Sequence, residues 1–202
     1  VDLSAQERSD YARLPFDNEE FRKELNVPGL SGEKGWTPLE QRSARPTLEI
    51  NGMLCGWTGP GAKTVLPAKS MAKISCRLVP DQDPEEIARL LAEHIKKLCP
   101  PTVECEVVSL HGGKPWVTPR EHPALECANR AVQSVFGEQA LFVREGGSIP
   151  IVVDFQNILG LPGLLVGFGL NTENLHAPDE HFDLGNYQMG IRLSIELMRE
   201  LA

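Results

Sequence analysis

An α/β chain in two parts is predicted from three observations. Between residues 47 and 110 the pattern runs strand, strand, helix, strand, which suits a small antiparallel sheet with a helix on one face. At His111-Gly112-Gly113-Lys114-Pro115 the chain breaks and its texture changes. Beyond that break helical and extended stretches alternate, as along one edge of an α/β layer. A polar, charged segment precedes both parts. The expected organisation is therefore 1–46, a helical connector and loop; 47–112, the sheet-and-helix part; and 113–202, the α/β part.

Each element has a local reason. Ser4-Ala5-Gln6-Glu7 reads as a capping box opening a helix to about Leu14, and Asp17 to Leu25 as a second short helix stopped by Pro28 and Gly29. Residues 28–46, with repeated Pro and Gly, read as a loop. Leu48, Ile50 and Met53 mark a strand over 47–55. A loop follows at 57–62, and the extended chain resumes at Thr64-Val65-Leu66-Pro67. Residues 70–78 alternate as a second strand. Asp83-Pro84-Glu85-Glu86 joins a cap, a first-position proline and acids at the positive end of the helix dipole. Ile87, Leu90, Leu91, Ile95 and Leu98 then line one helical face until Pro100-Pro101. A third strand is expected over 102–110. Next come a helix over 123–136, a short strand over 140–144, a helix over 148–159, a buried strand over 163–168 and a closing helix over 186–201.

Composition excludes several function classes. The 202 residues suffice for one sizeable core or two small ones. A net charge of -8 argues against a nucleic-acid backbone or an anionic membrane as partner. The longest apolar run, Leu161 to Leu170, is cut by Pro162, Gly163, Gly167 and Gly169, well short of the roughly 18 residues a membrane span needs. The five cysteines are odd in number and lack Cys-x-x-Cys spacing, so reduced core cysteines are expected rather than disulfides or a thiolate zinc site. No signal-peptide pattern opens the chain, whose start reads as mid-protein; the expected compartment is the cytoplasm.

Four stretches hold candidate chemistry. His176 follows the expected buried strand and Gly167-Phe168-Gly169, and open α/β sheets place sites in the loops after their strands. A neutral imidazole is a good zinc ligand, but a surface histidine beside an acidic pair fits the same spacing. His181 reads as solvent-facing or as a cap. In Arg144-Glu145-Gly146-Gly147-Ser148-Ile149-Pro150, two glycines before a helix leave N–H groups for an anion or carbonyl oxygen, and Ser148 adds a donor. A tight turn capped by Ser148 explains the run equally, and it is not the Gly-x-Ser-x-Gly of a serine hydrolase. Gly59-Pro60-Gly61-Ala62-Lys63-Thr64 is not a phosphate loop, because Ala62 separates the last glycine from Lys63. Arg77, among apolar strand neighbours, needs either a salt bridge in the sheet or a substrate carboxylate to grip bidentately.

Taken together, Gly59–Pro67, Ile74–Pro80, Arg144–Pro150 and Gly167–Glu180 resemble, in order and distance, the carnosine-dipeptidase branch of the aminoacylase/carboxypeptidase-G zinc peptidases. The resemblance runs from about residue 36 to the end. It implies an α/β catalytic domain with two zinc ions, manganese also being suited, and an inserted α+β lid that mediates homodimerisation. Residues 47–112 fall on the second half of that lid. His176 corresponds to a zinc ligand. Arg77 and Thr64 correspond to lid residues holding the substrate's C-terminal carboxylate and backbone. Ser148, with Gly146 and Gly147, corresponds to the loop that meets the substrate. The implied reaction is hydrolysis of a dipeptide by metal-activated water, with a glutamate as base.

The family's first metal histidine and bridging aspartate, in His-x-Asp, and its general-base glutamate belong far upstream. No histidine precedes His94. One imidazole does not hold a dinuclear site, so this chain is expected to need the missing N-terminal part and to be inactive alone. The competing expectation is a non-catalytic dimerisation or interaction module derived from such an enzyme.

Overall fold

The computed structural model describes residues 2–146, 149–161 and 163–202. Most of its helices start where side chains satisfy the free N–H groups of a first turn. Helix α1 (Ala5–Arg13) opens on a reciprocal cap: the Glu7 N–H donates to Ser4 Oγ at 3.2 Å, and the Ser4 N–H to Glu7 Oε2 at 2.8 Å. Asp17 caps α2 (Asn18–Glu24) by accepting from the N–H groups of Glu19 and Glu20.

Helix α3 (Pro38–Ala44) lies where a loop was expected. Thr37-Pro38-Leu39-Glu40 is itself a capping box with proline at the first position, and both of its hydrogen bonds are present. The surrounding prolines and glycines masked that signal.

Strands β1 (Thr47–Cys55) and β2 (Ser70–Arg77) pair antiparallel, Thr47 opposite Arg77 and Cys55 opposite Ser70. Ile50 faces Ile74 and Gly52 faces Lys73, so Asn51 is an unopposed bulge residue. Helix α4 (Pro84–Leu98) is capped by Asp83, as its sequence requires. Helix α5 (Pro123–Phe136) begins on His122, whose Nδ1 accepts from the Ala124 N–H, and ends on Gly137 at φ 80°, the left-handed turn that glycine adopts freely. Helices α6 (Pro150–Leu159) and α7 (Leu184–Leu201) complete the chain.

The expected strands over 102–110, 140–144 and 163–168 are not strands in the structure. An extended segment becomes a strand only when a neighbour supplies the other half of its hydrogen-bond ladder. Among the described residues, only β1 and β2 provide one another with that neighbour. Residues 163–168 are also not buried; Leu165 and Val166 are exposed.

The chain forms two units. The first gathers residues up to Tyr11, Pro15–Trp116 and Val143–Pro150, and the second Ala12–Leu14, Val117–Phe142 and Ile151–Ala202. In the first, Leu3, Tyr11 and Ala44 are buried together with the carboxylates of Glu7, Asp10 and Glu40. In the second, α5 packs on α7 and buries Leu125, Ala128, Ala131 and Leu193. The apolar face of α4 does not close over the sheet: α4 buries no residue, and Leu48, Ile50, Met53 and Met71 of the sheet are exposed. All five cysteines are free, as expected, but none is buried. No helix among the described residues is long and apolar enough to cross a membrane.

Candidate functional site

In the first unit, a polar cluster fixes the segment that enters the Arg144–Pro150 motif. Arg144 Nε donates to Glu7 Oε1 at 2.8 Å, with only about 10% of either side chain exposed. The Arg144 backbone meets the Tyr11 hydroxyl through both its N–H and its C=O, each at 3.2 Å. That hydroxyl also meets Ser43 Oγ at 2.5 Å, and Ser43 Oγ donates to the Leu39 carbonyl. Burial pushes the Glu7 carboxyl up, but the hydrogen bonds from Arg144 and Ser4 outweigh it and hold the group below its ordinary value. Burial raises the Tyr11 hydroxyl, so it remains a donor. Sequence reasoning missed this cluster: Glu7 was visible only as half of a cap, and Tyr11 and Ser43 not at all.

Past this anchor the chain reaches Gly146, which is buried. A Cβ there would collide with the backbone carbonyl of Arg42 and lie 2.7 Å from Nη1 of Arg77. Two of the candidate residues, Gly146 and Arg77, thus come together because glycine leaves room for the guanidinium. Arg77 is exposed, and no carboxylate among the described residues forms an ion pair with it. The bland expectation, a salt bridge inside the sheet, is not what the structure holds. Thr64 is exposed in the loop between the strands and makes no hydrogen bond to Arg77 or Gly146. Gly147 and Ser148 lie outside the described residues.

His176 belongs to the second unit. It is exposed, at φ 62°, in a loop where Asn174 and Asp179 also take left-handed backbone angles of 53° and 62°. Its imidazole makes no hydrogen bond among the described residues, which leaves both ring nitrogens available. The loop closes on Glu173, whose carboxylate accepts the Leu170 N–H at 2.9 Å and the Asp183 N–H at 2.7 Å. Asp183 caps α7 through the Asn186 N–H, and the Asn186 amide donates to the Phe168 carbonyl. His181-Phe182-Asp183 does spell His-x-Asp. Its aspartate caps α7 through one oxygen, and its exposed imidazole faces the Asp179 carbonyl.

An exposed imidazole free of protein partners fits one coordination position. Among the described residues, however, no three His, Cys, Asp or Glu side chains converge closely enough to hold an ion. These residues furnish one donor, and a complete site needs others from outside them.

A Cys-Gly metallodipeptidase of Schizosaccharomyces pombe is 31% identical over 205 residues, covering 100% of this chain and 43% of that protein. A human Beta-Ala-His dipeptidase is 28% identical, over 100% of the chain and 40% of its own length. The chain thus spans about two fifths of the curated relatives it matches. The solved structure of the dipeptidase Dug1p from Saccharomyces cerevisiae superposes with a TM-score of 0.82 at 30% identity, over 99% of this chain and 42% of that one. The sequence model of peptidase family M20/M25/M40 matches residues 20–200, and the chain belongs to that family.

Proposed function

We propose that this chain is the portion of a metallodipeptidase that grips the substrate's free carboxylate through Arg77 and contributes one metal ligand, His176. The observation that carries the reading is Arg77: a guanidinium without a carboxylate partner among the described residues, lodged against a glycine whose missing side chain makes its place. A planar guanidinium binds a terminal carboxylate through two parallel hydrogen bonds. Fixing that end of a dipeptide sets the scissile bond at a constant distance from the grip. Thr64 would hold the substrate backbone, and Ser148, Gly147 and Gly146 the loop beside the reacting carbonyl.

The metal, zinc or in its place manganese, would polarise that carbonyl and activate the attacking water at a two-ion centre. The remaining ligands and the general-base glutamate belong to the part of the relatives that this chain does not span. Held alone, these 202 residues are inactive and bind zinc weakly. Residues 47–112 act as half of a lid that pairs with a second copy, and 113–202 as the end of the catalytic domain. The relatives cleave Cys-Gly and Beta-Ala-His, so a dipeptide with a free C-terminus is the substrate class. Five free cysteines suit a reducing compartment such as the cytoplasm.

The test uses the intact natural protein with Cys-Gly and with its C-terminal amide. The native protein should cleave the acid and neglect the amide. Arg77→Ala should lose about 100-fold in kcat/KM on the acid while treating acid and amide alike. Equal discrimination by native and variant protein would sink the assignment, and no hydrolysis by the intact protein would favour a non-catalytic dimerisation module.

A further inference from the structure

We infer that Glu173 is the positioning residue of the His176 loop, setting the imidazole in place for a divalent cation; the inference rests on the reading of His176 as a ligand. Glu173 is 1% exposed, the most buried carboxylate among the described residues. Each of its oxygens is committed: Oε2 accepts the Leu170 N–H before His176, and Oε1 accepts the Asp183 N–H after it. The Glu173 backbone doubles the tie, its N–H donating to the Leu170 carbonyl at 3.2 Å and its C=O accepting from His181 at 3.1 Å. Gly169 keeps the space clear, since a Cβ there would stand 3.1 Å from Oε2. A side chain this enclosed, with both oxygens taken, is not itself a coordinating group.

What it closes is a strained segment. Asn174, His176 and Asp179 all sit at positive φ, conformations that cost of order 1 kcal/mol or more each and persist only where the surroundings impose them. The carboxylate clamp is that imposition. It converts a solvent-facing loop, which would otherwise sample many imidazole positions, into one that presents His176 with its ring free. Two N–H donors aimed at two oxygens require a carboxylate. An amide of the same size would turn its NH2 against one of them and leave a buried clash of donors.

The experiment uses the intact natural protein, zinc alone as probe, and hydrogen exchange beside metal affinity. Glu173→Gln should speed amide exchange over 174–180 and at Asp183 while leaving the α5–α7 core protected. It should also weaken zinc binding by about 10- to 100-fold in competition with a chelator. In a His176→Ala background, Glu173→Gln should weaken zinc binding no further, because its effect passes through that imidazole. Faster loop exchange with native zinc affinity would overturn the inference, as would a further loss in the His176→Ala background. If His176→Ala alone left zinc affinity intact, the ligand reading would fall, while the exchange data would still report on the clamp.

Discussion

Gly146 is the residue whose absence of a side chain does the most. A methyl group there meets the Arg42 carbonyl of α3, which is backbone and does not step aside, as well as the Arg77 guanidinium. Gly146→Ala should therefore cost about 1–3 kcal/mol of stability in thermal melting and raise KM for a dipeptide by displacing Arg77. A variant with native melting and native KM would show that the close approach does not matter. Arg77, His176 and the glycines were legible as residues, because each breaks the pattern of its neighbours. The contact between Gly146 and Arg77 was not, since the two lie on unrelated stretches and nothing local announces that they meet. Glu173 was harder still. A glutamate in a polar loop has no periodicity to betray burial, and only the fold shows that two backbone donors converge on it.

At the scale of elements, helices were legible because their ends are written in side chains: Asp17, Asp83 and the pair Ser4 and Glu7 cap where their chemistry says they should. Strands were legible where a partner exists, at β1 and β2, and over-read elsewhere, because half of every ladder comes from another segment. With the two Tyr11 hydrogen bonds, the Glu7–Arg144 pair joins α1 to the segment entering the glycine motif, and it carries a pH dependence. The folded carboxyl titrates below its ordinary value, so its stabilisation is fully present above that value and is lost as pH falls through the lowered one. Glu7→Gln should cost about 1.5–2 kcal/mol at neutral pH, the charge-assisted share of its hydrogen bond with Arg144. Melting curves should converge for the two proteins as the pH drops below the carboxylate range. A difference independent of pH would assign the effect to packing rather than charge.

For the molecule as a whole, the α/β class was readable, whereas how much of the chain could be buried was not. Leu48, Ile50, Met53, Leu66, Leu98, Leu110, Ile158 and Leu161 are each half-exposed or more, a larger apolar surface than a free-standing soluble chain leaves open. A part equivalent to the relatives' further length would cover it. Expressed alone, the 202 residues should bind an environment-sensitive apolar dye and self-associate in light scattering, and the intact natural protein should do neither. A monodisperse, dye-negative isolated chain would refute this.

The unopposed Asn51 gives β1 its parity. Before it, Leu48 and Ile50 stand opposite Cys76 and Ile74; after it, Met53 stands opposite Ala72. Odd and even positions have exchanged roles across one residue. Were Asn51 paired in a regular ladder instead of bulged, strict alternation would turn Met53 and Cys55 away from Leu48 and Ile50. The extra residue works like a leap day: it restores the step of the sequence to the step of the sheet, and the chain arrives at β2 with Arg77 still on the side of Glu49 and Lys73.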